Sequence, residues 1–240
     1  MTLLEEPELL VERRQPTRHK GRWGLFAVRA GLVVAGLAAW FGTQALIGSR
    51  KYDGQIGDGV LAALTPVHTY LMTSAAARNG LLISSSAVID VLAVFMLLRA
   101  IFGPTVRPFL GLLILFGLRQ IFQAICVLPM PEEMIWPKEG PGFPSLLVTY
   151  GVSNDLFFSG HTALAVFGAV ELARWKRALI PVGIAIAIFE AVAVLALRAH
   201  WTMDVYAGAV TALLVAVVAG WISPSVDNGL AKVVGARVAE

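Results

Sequence analysis

Four histidines occur in this chain of 240 residues, and two of them stand where few titratable groups belong. His161 lies in SNDLFFSGHTAL, bracketed by Ser159, Gly160 and Thr162, at the start of a stretch otherwise apolar enough for lipid. His200 opens a second polar island, HWTMDVYAG. A titratable group costs a few kcal/mol at the centre of a bilayer and is usually there for a reason. His200 and Asp204 are spaced i, i+4, which on a helix puts both side chains on one face, about 6 Å apart along the axis. An imidazole held by a carboxylate keeps one tautomer and becomes a better base or nucleophile. Gly160 beside His161 at a helix start leaves backbone N–H groups open, which favours an anion such as phosphate. No metal-ligand spacing accompanies them. Two histidines, a carboxylate and a Ser-Gly nest point to phosphoryl transfer with no metal and no cofactor. The competing reading is a polar cluster that only packs helices together. His19, in the cationic N-terminal tail, and His68, in an interfacial segment, read as solvated surface residues.

The elements that must position these groups are membrane helices. Hydrophobic residues make up 57% of the chain and charged residues 15%, with a mean hydropathy of +0.74. A soluble domain carries about a quarter charged residues, and a spanning helix needs roughly 20 mainly apolar ones. Six such runs are present, near 24–47, 80–101, 108–129, 156–173, 178–197 and 204–222. The fold class is therefore all-α, a polytopic six-transmembrane-helix bundle. Counting Lys and Arg by loop gives 12 on the side of the termini, among them Arg13, Arg107 and Lys232, against 5 opposite, among them Arg78 and Lys138. By the positive-inside rule both termini are cytoplasmic. Residues 1–22 form a basic cytoplasmic tail, 23–222 the six-helix catalytic domain and 223–240 a C-terminal cytoplasmic tail. The pI near 9.2 then needs no nucleic-acid partner. VLAALTPVHTYLMTSAAA, within 48–78, suggests an amphipathic interfacial helix interrupted at Pro66, and Trp136 suits a headgroup-level anchor. The lone Cys126 reads as a small buried apolar residue.

Asp90, Arg119 and Glu190 lie inside apolar runs. Counting about 1.5 Å per residue puts Glu190 some 15 Å below His200, and Arg119 similarly deep below Pro129. All three then face the bundle interior, either as a hydrophilic chamber in which Arg119 draws in a phosphate or as a structural ion cluster.

SGH followed some forty residues later by HxxxD resembles the type 2 phosphatidic acid phosphatase (PAP2) superfamily, and its sphingomyelin synthase branch more closely. The likeness rests on Asp155-Leu-Phe-Phe-Ser159-Gly160-His161-Thr162, on His200-Trp201-Thr202-Met203-Asp204-Val205, and on Arg119 with Leu128-Pro129-Met130-Pro131. It covers roughly residues 79–222. A fainter trace of the branch's motif after the first helix is Gln55-Ile56-Gly57-Asp58.

The resemblance implies roles. His200, oriented by Asp204, attacks the phosphorus of an outer-leaflet phospholipid, and His161 protonates the departing oxygen. Ser159 and the Gly160 N–H hold the phosphoryl oxygens, and Asp155 orients His161 or its loop. Arg119, Glu190 and Asp90 complete the substrate-binding set. A ceramide-like hydroxyl as acceptor makes the protein a lipid phosphotransferase. Water as acceptor makes it a phosphatase or a phospholipase C-like hydrolase. A transporter or scaffold is the remaining alternative, and it predicts inverted repeats or broken helices, which the sequence lacks. The partners expected are a phospholipid donor, a lipid or water acceptor and the bilayer. The compact chain points to a bacterial inner membrane with the site facing the periplasm, or to an endomembrane with the site facing the lumen.

Overall fold

The computed structural model describes residues 31, 34–39, 41–42, 56–126, 128–136 and 156–233. The chain divides into two units, Met1–Ile56 and Gly57–Glu240. In the first, residues 31, 34–39 and 41–42 are helical and exposed, in keeping with the expected run 24–47.

The second unit holds seven α-helices among its described residues: α1 Gly59–Ala63, α2 Thr65–Thr73, α3 Ala75–Phe102, α4 Arg107–Ile125, α5 Gly160–Trp175, α6 Ile180–Ala196 and α7 Thr202–Val233. No strand occurs among the described residues. The interfacial segment is two short helices, not one interrupted at Pro66. The break falls at Leu64, and Pro66 sits in the first turn of α2, where its missing N–H is no loss. Nor is His68 a surface residue. It is 1% exposed, and its Nδ1–H donates to the Ala196 carbonyl at 2.9 Å.

Four helices are long and apolar enough to cross a membrane: Ala75–Phe102, Arg107–Ile125, Arg177–Ala196 (α6 with its leading 3-10 turn) and Thr202–Leu230. Among the described residues the count is thus four, where the runs suggested five. The fourth run begins as helix only at Gly160, because Leu156–Phe158 is non-helical and tucks Leu156 and Phe158 into the interior. The 16 residues of α5 rise about 24 Å, short of a hydrocarbon core of about 30 Å. Instead α5 is the centre of the bundle, packed against α3, α4, α6 and α7. At the far end α7 runs on through Pro224 to Val233, past the expected end at 222.

Lipid tails are as apolar as the helices, so close packing through small residues holds such a bundle together. Gly111 of α4 lies flat against the Phe167 ring of α5, leaving no room for a Cβ. A Cβ on Gly183 of α6 would come within 2.9 Å of Ala169 Cβ on α5. Ile89, Met96, Leu112, Leu115, Phe167 and Val215 form the core around these contacts. At the C-terminal end of α5, Arg107 pairs with Glu171 at 2.7 Å, and Thr105 Oγ1 donates to Asp227 at 2.6 Å.

Candidate active site at the start of α5

Ser159 is the N-cap of α5. Its Oγ accepts the Thr162 N–H at 3.4 Å and lies 3.1 Å from Thr162 Oγ1. Its own N–H donates to the Asp204 carbonyl at 3.1 Å, which docks the start of α5 on the first turn of α7. Gly208, one turn further along α7, makes that approach possible: a Cβ there would stand 2.7 Å from the Ser159 carbonyl oxygen. Arg119 reaches the same place from α4. Its Nε–H donates to the Phe158 carbonyl at 3.1 Å, and a Cβ on Gly160 would meet that Nε at 3.1 Å. The guanidinium therefore rests against the helix start. There the N–H groups of Gly160 and His161, in the first turn, have no intrahelical acceptor.

His200 is delivered by the end of α6. Arg198 adopts a left-handed backbone, φ 51°, so that its N–H bonds the Leu195 carbonyl and the Ala199 N–H bonds the Val194 carbonyl. This is a Schellman ending, usually built on glycine. The Arg198 side chain offsets the conformational cost through bonds to Glu133, the Glu132 carbonyl and Thr65 Oγ1, each at 3.2 Å. His200 therefore precedes α7 and does not lie on it as the spacing suggested. Asp204 reaches back to it from the third helical position. Its Oδ2 accepts the Trp201 N–H at 3.0 Å and stands 3.8 Å from His200 Nδ1, one half of a capping box.

His161, His200 and Asp204 are 8%, 6% and 0% exposed. His161 Nε2, His200 Nδ1 and Asp204 Oδ1 are buried without a hydrogen-bond partner. The Trp136 ring meets the His161 ring edge-on at 5.5 Å, so Trp136 walls the site where a membrane anchor was expected. Unpartnered polar atoms at this depth are costly in a resting protein. Among the described residues, His161, His200 and Arg119 gather near the Asp204 carboxylate and the first-turn N–H groups of α5, an arrangement that suits a phosphate diester.

Of the expected site residues, the fold brings together His161, His200, Asp204, Ser159, Gly160 and Arg119. Ser159 Oγ is engaged in capping. Glu190, fully buried on α6, instead accepts a 2.6 Å hydrogen bond from Ser85 of α3. Asp90 lies half-buried on α3, and Asp155 falls outside the described residues. No group of three or more His, Cys, Asp or Glu arranged to hold a metal occurs among the described residues.

One residue of the site's frame, Asp58 of the faint Gln55-Ile56-Gly57-Asp58 trace, has no role assigned to it from the sequence. Asp58 caps α1 through the N–H groups of Val60 and Leu61, at 3.0 and 3.2 Å. It also takes both the N–H and the hydroxyl of Thr202, each at 2.7 Å. It thus fixes the first residue of α7, two positions from His200. Burial works to raise its pKa, but the bonds from Thr202, Leu61 and Val60 together hold it below the ordinary carboxylate value.

Residues 58–221 match the model of the AtPDCT1/2 family, a phosphatidylcholine:diacylglycerol cholinephosphotransferase family. No curated protein and no solved structure matches the chain. The match covers more than half of the chain, begins at Asp58 and contains both histidines, so the protein belongs to the AtPDCT1/2 family. It is an integral membrane protein of a lipid phosphotransferase family. This corrects the assignment to the PAP2 superfamily and its sphingomyelin synthase branch. Short runs such as SGH and HWTMD record the chemistry a site needs, and the same site chemistry recurs in different families.

Proposed function

We propose that this AtPDCT1/2-family protein transfers a phosphoryl-headgroup from a phospholipid to the hydroxyl of a diacylglycerol, through a covalent intermediate on His200. With Nδ1 turned toward Asp204, Nε2 of His200 attacks the phosphorus. The bond from phosphorus to the diacylglycerol oxygen breaks, and His161, protonated at Nε2, gives its proton to that oxygen. The phosphoryl-headgroup is left on His200 as a phosphoramidate. In the second half His161 takes the proton of the acceptor hydroxyl as its oxygen attacks phosphorus, and the P–N bond breaks to restore His200. Arg119 and the first-turn N–H groups of α5 lie where they can hold the charge on the phosphoryl oxygens.

The observation that carries this reading is the buried, unpartnered Nε2 of His161 at the helix start where Arg119 and the His200–Asp204 pair also arrive. The family's name supports choline phosphate as the group moved and diacylglycerol as the acceptor. The Lys and Arg distribution supports a site on the non-cytoplasmic face. The test uses purified protein in mixed micelles with a headgroup-labelled phospholipid panel, with and without an isotopically distinct diacylglycerol. Label appearing on that diacylglycerol, and absent with His161→Ala, is expected. Release of water-soluble headgroup phosphate alone makes the protein a hydrolase, and no histidine-dependent product defeats the reading.

A further inference from the structure

A groove of about 440 Å³ opens between α5, α6 and α7. Its upper lining is Thr162, the neighbour of His161, and Val205, the neighbour of Asp204, with Tyr206 beside them; its floor is Ala173 and Ile180. Along α5 from Thr162 to Ala173 the rise is about 16 Å, close to half of a hydrocarbon core of about 30 Å. The groove exists because alanines such as Ala187 and Ala209 line its middle. At the far end Gly183 and Ala169 bring α5 and α6 nearly into backbone contact.

We infer that this groove holds one fatty-acyl chain of the diacylglycerol part of the substrate, which donor and acceptor share. The inference rests on the proposed lipid transfer and adds to it where the tail lies. Three features carry it. The groove begins at residues adjacent to two of the three reactive side chains, it is apolar throughout below Thr162, and its depth is that of a single leaflet. A chain lying in it has its glycerol end at Thr162 and Val205, with the phosphate at the start of α5. Membrane lipid is as apolar as the lining, so the groove adds little affinity. Its effect is orientation: it turns a freely rotating lipid into one whose phosphorus stays within reach of His200.

The test blocks the groove below the glycerol. Ala173, on the groove's floor, lies eleven residues beyond Thr162, about 16 Å along α5, beyond the reach of a six-carbon acyl chain. Rates are measured for wild type and Ala173→Phe with long-chain phospholipid and with a six-carbon-chain analogue. Misplacing a reacting atom by about 1 Å can cost about a hundredfold, so the long-to-short rate ratio is expected to fall about tenfold to a hundredfold. An unchanged ratio overturns the inference. A loss of both rates together signals misfolding, and a binding measurement then decides. Phosphatidylcholine carrying a photoreactive diazirine at its chain end is cross-linked to wild type and to the milder Ala187→Leu. Adducts are expected at Ala173, Ile180 and Ile184 and should be depleted by the substitution. Adducts spread evenly over all lipid-facing helices overturn the groove. The cross-link reads the same whether or not transfer is found, so failure of the groove and failure of the transferase reading are told apart.

Discussion

The two ends of α5 treat polar side chains in opposite ways. At its C-terminal end the charged groups find direct partners, Arg107 on Glu171 at 2.7 Å and Asp227 on Thr105 and on the Val106 N–H at 2.6 and 2.9 Å, although Arg107 Nε and Glu171 Oε1 stay buried without one. At its N-terminal end His200 and Asp204 stand 3.8 Å apart, and His161 Nε2 has no hydrogen-bond partner among the described residues. Both ends are largely buried and both belong to the same helices. A buried pair that has found its partner stabilises or specifies a fold. Buried groups held near each other without satisfying each other are poised for something that arrives later. Under the proposed function, the difference puts the chemistry at one end and leaves the other to architecture.

The sharpest way to break that contrast is to delete one group at each end. His161→Ala or His200→Ala is expected to cut transfer by about 10²–10⁴-fold or more, since each supplies proton transfer or the nucleophile itself, with little change in thermal stability. An active His161→Ala would erase the distinction. At the other end, Arg107→Ala leaves Glu171, only 3% exposed, without its ion. Breaking such a pair costs about 3–5 kcal/mol, read as a lowered melting temperature in detergent, while turnover per folded molecule stays near wild type. A large stability loss in His161→Ala, or a catalytic loss in Arg107→Ala at unchanged stability, would reverse the assignment.

The residues proposed for the site carry local signals in the chain. His161 announces itself through Ser159 and Gly160 on the preceding turn, and His200 through Asp204 four residues later. Depth is less legible, because counting residues assumes where a helix stops. The helix α4 ends at Ile125, about 9 Å beyond Arg119, the chain runs on to Pro129 outside the helix, and the long Arg119 side chain bends toward the site. Likewise α6 ends at Ala196, about 9 Å beyond Glu190, and a loop carries the chain on to His200. Contacts across the fold left no trace in the sequence. His68 is buried by a carbonyl 128 residues away, and Asp58 meets Thr202 across 144 residues. No periodicity or spacing encodes such pairings. The groove is equally hidden, since an alanine in an apolar run looks the same whether it faces a neighbouring helix or a cleft.

The contrast also depends on how closely α5 and α7 approach, which Gly208 controls. A Cβ at 2.7 Å from the Ser159 oxygen must push the start of α5 off α7 by a few tenths of an ångström or more. Gly208→Ala is therefore expected to lower turnover about tenfold, given that about 1 Å of misplacement can cost about a hundredfold. Donor binding, read by cross-linking, should be retained. Gly117→Ala, with nothing within 4 Å of the added methyl, is the matched control. Equal effects from the two would mean that the α5–α7 contact does not set the geometry.

The smallest effect is expected at Asp58, which sharpens the comparison by joining both kinds of group. It is a carboxylate whose hydrogen bonds are made within the fold, like Asp227 at the far end, yet it holds the first residue of the helix that carries Asp204. Loss of an N-cap costs about 0.5–2 kcal/mol, so Asp58→Ala should lower the melting temperature modestly at neutral pH and loosen His200 relative to Asp204. The sign of the pH dependence follows from the depressed pKa. A carboxylate held below its unfolded value of about 3.9 contributes stability above that value and loses it as the pH falls through the lower, folded one. The stability difference between wild type and Asp58→Ala should therefore be constant from pH 7 to about 5. It should shrink only in more acidic solution, below about pH 4. Asp58→Asn keeps an oxygen acceptor for the Thr202 N–H and should recover part of the stability with no pH dependence. A wild-type advantage that already fades between pH 7 and 5 would show that another group, and not the Asp58 carboxylate, fastens α7 to the rest of the site.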